Sequence, residues 1–237
     1  MLSNTILSAA ASIIALPCLV MAAPQTIAPR ASAELSLTAQ LRLADTVIDR
    51  FKLLPDDKDF VYDFNSTDPA AAVASSKNFP ALVGTGASLS VVKLDACSMS
   101  TVHLHPRAAE LQAVVSGRIL TEMVPESGVV DSEGKPRVIR TELGPGMMTV
   151  FYQGSFHTQI NPDCEPAVLV AGFASEDIGA SLIASQASLL SNDVISNTFG
   201  GSISGKDIDA VRDMLPQGVS VKIDECLKKC GIEKRKV

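Results

Sequence analysis

The chain has 237 residues, 46% hydrophobic and 19% charged, a balance that suits one sizeable domain with a buried core and excludes a disordered polymer. Twenty lysines and arginines against 26 aspartates and glutamates leave a formal charge of −6, the wrong sign for a surface that tracks phosphates, so no nucleic-acid partner is expected. Histidine occurs only at positions 103, 105 and 157, which makes its placement informative.

Residues 6–23, ILSAAASIIALPCLVMAA, are uncharged and mostly apolar, broken by Pro17 and ending in the small residues Ala22 and Ala23. The pattern predicts a secretory signal over residues 1–22, cleaved after Ala22 or Ala23. A membrane anchor is the competing reading, but the run is short for a bilayer span and no positive cluster follows it. No second stretch approaches spanning length, so the mature protein is expected outside the cell or in the cell wall, with no membrane partner.

An arm and a helix are expected over residues 23–59, the helix running from Thr38 to Leu53 because Leu41, Ala44, Val47, Ile48 and Phe51 recur at spacings of three and four. From Phe60 to Ala180 the pattern changes to short alternating or β-branched segments separated by Gly, Pro, Asn and Asp: FVYDF, SLSVVKL, TVHLH, ELQAVVSG, RILTEMV, RVIRTEL, MTVFY, HTQIN and AVLVAGFA. So many short strands at close spacing predict an all-β sandwich or barrel. Over residues 181–237 the character returns to helix, at 181–191, Lys206–Met214 and Ile223–Cys230, the last ending at Gly231.

Cys18 would leave with the signal, and Cys97, Cys164, Cys226 and Cys230 would remain on an oxidising route, where two disulfides are expected. The sequon Asn65-Ser66-Thr67 fits glycosylation at Asn65 on the same route.

On TVHLH, His103 and His105 are two residues apart and leave one face of a strand, so two imidazoles can converge on one ion. Pro106 then turns the chain and lets Glu110 return from the next strand to the same point. An antiparallel register that sets His103 opposite His157 also brings Cys97 within about one residue of facing Cys164, which favours that disulfide and leaves Cys226 and Cys230 unassigned. Three imidazoles and a carboxylate make a mixed nitrogen and oxygen donor set unlike a sulfur-rich structural zinc site. Manganese or iron is favoured, with zinc, nickel and copper also compatible with the spacing. Gln159 and Asn161, following His157, are expected to hydrogen-bond the imidazoles and fix their orientation.

HLHPRAAELQAVVSG (His103 to Gly117) and GPGMMTVFYQGSFHTQIN (Gly144 to Asn161) resemble the two signature motifs of the cupins, specifically the germin-like and spherulin-like secreted members. His103, His105, Glu110 and Gly117 match the first motif; Gly146, Gly154, His157 and Asn161 match the second. Cys97 stands where the general pattern has glycine and Tyr152 where it has proline, and neither is a ligand position. The carboxyl-terminal ECLKKCG also looks like the fungal spherulin-like branch.

The resemblance implies a jelly-roll barrel holding Mn(II) through the three histidines and Glu110, in a family that includes superoxide dismutases and oxalate oxidases. It also implies a homo-oligomer joined through carboxyl-terminal helices, the alternative being a monomer whose helices cover its own barrel. Two functions compete. One is an extracellular oxidoreductase acting on a small-molecule substrate, for which no convincing oxalate clamp is visible because Arg107 is expected to point away from the metal. The other is a non-enzymatic stress or encystment protein in which metal and disulfides stabilise the barrel.

Overall fold

The computed structural model of the chain describes residues 34–66, 68–216 and 218–233, so the signal at residues 1–22 and Cys18 lie outside the described residues. The expected single helix over Thr38–Leu53 is two helices, α1 (Leu37–Leu43) and α2 (Val47–Leu53). The break has a local cause: Thr46 Oγ1 accepts from Asp49 N at 3.2 Å and caps a fresh helix start. Leu41 of α1 packs with Leu54 and Val83 in a small buried cluster. FVYDF, expected as a strand, is not one: Phe60 closes a 3-10 turn at Asp57–Phe60, which begins where Asp56 N donates to Asp59 Oδ2, and the residues after it are irregular.

Twelve strands are described: β1 (Val73–Ala74), β2 (Ser88–Leu94), β3 (Ser98–Ser100), β4 (His103–Leu104), β5 (Glu110–Ser116), β6 (Ile119–Val124), β7 (Ile139–Leu143), β8 (Met148–Phe151), β9 (Phe156–Asn161), β10 (Ala167–Phe173), β11 (Ser181–Leu182) and β12 (Ser220–Lys222). One antiparallel sheet has the order β1-β2-β10-β5-β8. In the other, β9 pairs with β6 on one side and with β3 and β4 on the other, β7 extends β6, and β11 and β12 flank β4 and β3. The segment from residue 181, expected to be helical, therefore contributes two strands besides α3 (Ile183–Ala187), α4 (Asn192–Thr198), α5 (Gly205–Met214) and α6 (Asp224–Cys230). The all-β expectation with helices at both ends holds.

The register stacks the interior in three layers. At one level lie Phe151, Glu110, Phe173 and Ser88 across the first sheet, and Met123, His157 and His103 across the second. One step along are Gln112, Ala171 and Ser90 facing Thr141, Thr121 and Gln159. The third level is apolar, built from Leu94, Val114, Ile119, Leu143, Ala167 and Leu169. Burying each Leu, Val or Ile side chain of that floor is worth about 1.5–3 kcal/mol. Gly117, just past β5, is fixed by the floor: at φ 82° a Cβ there would meet the Ala167 Cβ at 2.6 Å.

The disulfides correct the expected Cys97–Cys164 pair: Cys97 is bonded to Cys226 and Cys164 to Cys230. β3 pairs Ser98 with Asn161, so continuing that register sets Cys97 opposite Pro162, and Cys164 lies two residues beyond, in the turn. β12 pairs with β3 and runs directly into α6, which carries Cys226 and Cys230 four residues apart, on one helical face, to the two barrel cysteines. Gly231 ends that helix in the left-handed region at φ 64°.

Candidate metal centre

Strand alternation sends His103 and His105 to one side, and the turn after them is pinned by Gly154 N donating to His105 O at 3.2 Å and Gln153 Nε2 donating to Pro106 O at 2.8 Å. That turn delivers Glu110 as the first residue of β5, while β9 places His157 opposite His103. Tyr152, in place of the family's proline, leaves an ordinary turn in which Tyr152 O accepts from Ser155 N at 3.0 Å. The four predicted ligands come together: one ligand atom from each of His103, His105, Glu110 and His157 lies within 4.8 Å of all the others. His105, Glu110 and His157 are buried and His103 is half-buried.

Each ring spends its Nδ1 on a backbone carbonyl: His103 on Thr101 O at 2.8 Å, His105 on Gly179 O at 2.8 Å and His157 on Ser155 O at 2.9 Å. These bonds assign the Nδ1–H tautomer and turn every Nε2 toward the centre. They also replace the expected role of Gln159 and Asn161. Gln159 is bonded to Ser100, and Asn161 Nδ2 donates to the carbonyls of Leu94, Asp95 and Glu165, so both residues tie strands together rather than orient imidazoles.

Aromatic rings close the walls. Phe151 stacks on His157 with centroids 4.3 Å apart, and Phe173 meets His105 edge-on at 4.9 Å. Arg107 is held at the surface by Asp177, through Asp177 O and Oδ1. None of Thr101, Ser155, Gly179 or Phe151 was singled out from sequence. A carbonyl partner has no residue signature, although Gly179 at φ 65°, where a Cβ would sit 2.8 Å from Pro106 Cγ, must be a glycine to come this close.

The electrostatics ask for a cation. Glu110 Oε2 lies 3.0 Å from His105 Nε2 and 3.1 Å from His157 Nε2, and in rings protonated on Nδ1 those nitrogens are bare lone pairs facing a carboxylate. Acceptors at that distance need a shared positive charge, which a proton supplies for one contact and a divalent ion supplies for all. In the metal-free chain, where protons on the rings take the ion's place, burial pushes the Glu110 carboxyl up, yet the hydrogen bonds from His105 and His157 and the charge of those rings outweigh it and hold it at about 2. Burial, then the neighbouring His157, brings His103 down to about 4, leaving it neutral and ready to ligate. For His105 burial acts downward, but the bonds to Glu110 and Gly179 O prevail and raise it. The nitrogen and oxygen donors fit a first-row ion with bonds of about 2.0–2.2 Å after a slight inward shift. Cys97, Cys226 and Cys230, the other cluster of ligating residues described, are spent in disulfides.

The family model described as Cupin matches residues 55–206. Spherulin-1A of Physarum polycephalum is 36% identical over 214 residues, covering 86% of this chain and 82% of its own. Germin-like protein 9-1 of Oryza sativa subsp. japonica is 37% identical over 100 residues, 41% of this chain and 38% of its own. Among solved structures, a recombinant oxalate oxidase in complex with glycolate aligns with a TM-score of 0.52 at 16% identity, over 64% of this chain and 74% of that one. The oxalate decarboxylase of Bacillus subtilis, studied for its Mn(II) centres, aligns with a TM-score of 0.52 at 18% identity, over 63% of this chain and 36% of that one. At such identities the structural likeness speaks for the fold, and the sequence likeness carries the family: this chain belongs to the cupins, in their germin-like and spherulin-like branch, with one cupin domain matched.

Proposed function

We propose that the chain holds Mn(II) through His103, His105, Glu110 and His157 and acts outside the cell as an oxidoreductase on a small substrate, of the superoxide dismutase or oxalate oxidase type. The observation that carries this reading is the convergence on a buried carboxylate of three imidazoles, each turned by a backbone carbonyl at its Nδ1. Bound there, such an ion supplies one-electron redox chemistry and open positions for a small ligand. The chain's own part is to hold the rings by the carbonyls of Thr101, Gly179 and Ser155, to exclude water with Phe151 and Phe173, and to offset charge with Glu110. Iron or another divalent ion would suit the same donors.

The reading includes removal of residues 1–22 as a signal, an arm and helices over 23–59, the cupin barrel over 60–180 and an accessory segment over 181–237. It includes glycosylation at Asn65, which is exposed with its Nδ2 on Asp63 Oδ1, and association of copies through the carboxyl-terminal helices, where Leu189, Phe199 and Met214 stay exposed. Among the described residues no helix is long and apolar enough to cross a membrane. The second reading, a non-enzymatic stress protein, is favoured by one feature, the double disulfide that locks α6 onto the barrel. Secreted, metal-analysed protein assayed for superoxide dismutation and for peroxide from oxalate decides. Activity that follows metal content supports the enzyme. A loaded protein inert in both assays, yet melting lower when stripped of metal, supports the structural role.

A further inference from the structure

Among the described residues, two side-chain donors inside the barrel have no partner: Gln112 Nε2 and Ser88 Oγ. Gln112 is 1% exposed and Ser88 4%. An amide N–H buried without an acceptor costs about 1–3 kcal/mol, so a fold that keeps one invites the question of what it donates to. The register places both beside the metal centre. Ser88 lies in the row of Glu110, across Phe173, and Gln112 is two residues after Glu110 on the same inward face of β5, at the head of the polar layer. Of the other polar groups of that layer, Thr121 Oγ1 is engaged with Thr141 Oγ1 at 2.6 Å, and Gln159 with Ser100.

Charge narrows what the acceptor can be. Among the described buried residues there is no lysine or arginine, and Arg107 is spent on Asp177 at the surface. A divalent ion on three neutral imidazoles and the Glu110 carboxylate carries one net positive charge. One monoanion neutralises it, whereas a dianion leaves a buried negative charge uncompensated, which is costly.

Resting on the function proposed above, we infer that Gln112 donates through Nε2 to a small oxygen-bearing monoanion taken up at the metal centre, and so sets the site's preference for compact monoanions over dianions such as oxalate. Gln112 is then a ligand-binding residue, and Ser88 supplies a second contact, through its hydroxyl, on the Glu110 side.

The test uses the Mn(II)-loaded full chain, with sodium formate as the monoanion and oxalate as the dianion, read by the change in the Mn(II) paramagnetic resonance spectrum. The wild type binds formate saturably and more tightly than oxalate. Gln112→Met, close in size and unable to donate, keeps its metal by elemental analysis and weakens formate about tenfold to a hundredfold, the range for losing a hydrogen bond to a charged acceptor. Its metal-free form melts no lower than the wild type, because an idle donor has been removed. Unchanged formate binding in the variant, a lower melting temperature of the metal-free variant, tighter oxalate than formate, or no formate binding to the loaded wild type each overturns the inference. A wild type that takes up no metal overturns the parent reading first, and elemental analysis separates the two failures.

Discussion

Phe151 lies flat on the imidazole of His157, with ring planes within 12° and centroids 4.3 Å apart. At 1% exposure it is among the most buried side chains described, so the ligand ring is clamped between a carbonyl at Nδ1 and an aromatic face. Phe151→Leu removes that face while keeping an apolar filling. A cost of about 1–3 kcal/mol in stability is expected from the imperfect volume match. Metal affinity should fall about tenfold as the ring loses its fixed orientation. Thermal melting and a metal titration of the same variant separate the two effects.

Gly179→Ala tests the carbonyl that turns His105. An added Cβ would lie 2.8 Å from Pro106 Cγ and 2.9 Å from Arg107 Nη2, on a backbone at φ 65°, so the peptide must shift and Gly179 O must leave His105 Nδ1. The expected outcome is metal affinity lowered about ten- to a hundredfold in a barrel whose far-ultraviolet dichroism is unchanged. Affinity equal to wild type would show that the carbonyl does not hold the ring.

The sulfur pairing makes its own prediction. Cys164→Ser or Cys226→Ser should each lower stability by about 2–4 kcal/mol. In Cys226→Ser the freed Cys97 thiol lies 3.5 Å from Cys230 Sγ, so its thiolate can displace Cys164 and the variant should carry a mixture of Cys97–Cys230 and Cys164–Cys230. Non-reducing peptide maps check both; Cys97 joined to Cys164 in the wild type would contradict the fold at α6.

Acid should act on the metal-free and loaded protein in different ways. In the metal-free chain Glu110, held at about 2, stabilises the fold above its ordinary 4.5, and that contribution is lost as pH falls toward 2. His103, brought to about 4, contributes above its ordinary 6.5 and loses it as pH falls toward 4. His105 has the opposite sign: raised in the fold, it contributes below 6.5 and loses that contribution as pH rises through its folded value. Because His105 must give up its proton to ligate, metal affinity should begin to fall as pH drops through that raised value, well before His103 titrates. Imidazole nuclear magnetic resonance of the metal-free protein, beside metal binding measured at several pH values, follows both events.

The centre was legible because its signals are local and periodic. A two-residue spacing puts His103 and His105 on one face, and a proline turn returns Glu110, whatever the rest of the chain does. The alternation in SLSVVKL, ELQAVVS and AVLVAGF likewise survives as β2, β5 and β10, because one face of each is buried. The misses depend on long-range docking or on backbone atoms. Cys97 pairs with Cys226 only because β12 docks on β3, and nothing near Cys97 announces that contact. The carbonyls of Thr101, Ser155 and Gly179 outcompete the amides of Gln159 and Asn161 for the rings, and a carbonyl is common to every residue. FVYDF fails as a strand because Asp56 and Asp59 favour a tight turn at its start, a preference that β-branched composition masks.

Four side chains sharing one ion is the arrangement on which the proposed chemistry depends. Elemental analysis of purified protein beside His105→Ala, His157→Ala and Glu110→Gln tests it most directly. About one divalent ion per wild-type chain is expected, with most of it lost in each folded variant. Wild-type protein that takes up no ion after dialysis against Mn(II), or variants that retain the full complement, would contradict it.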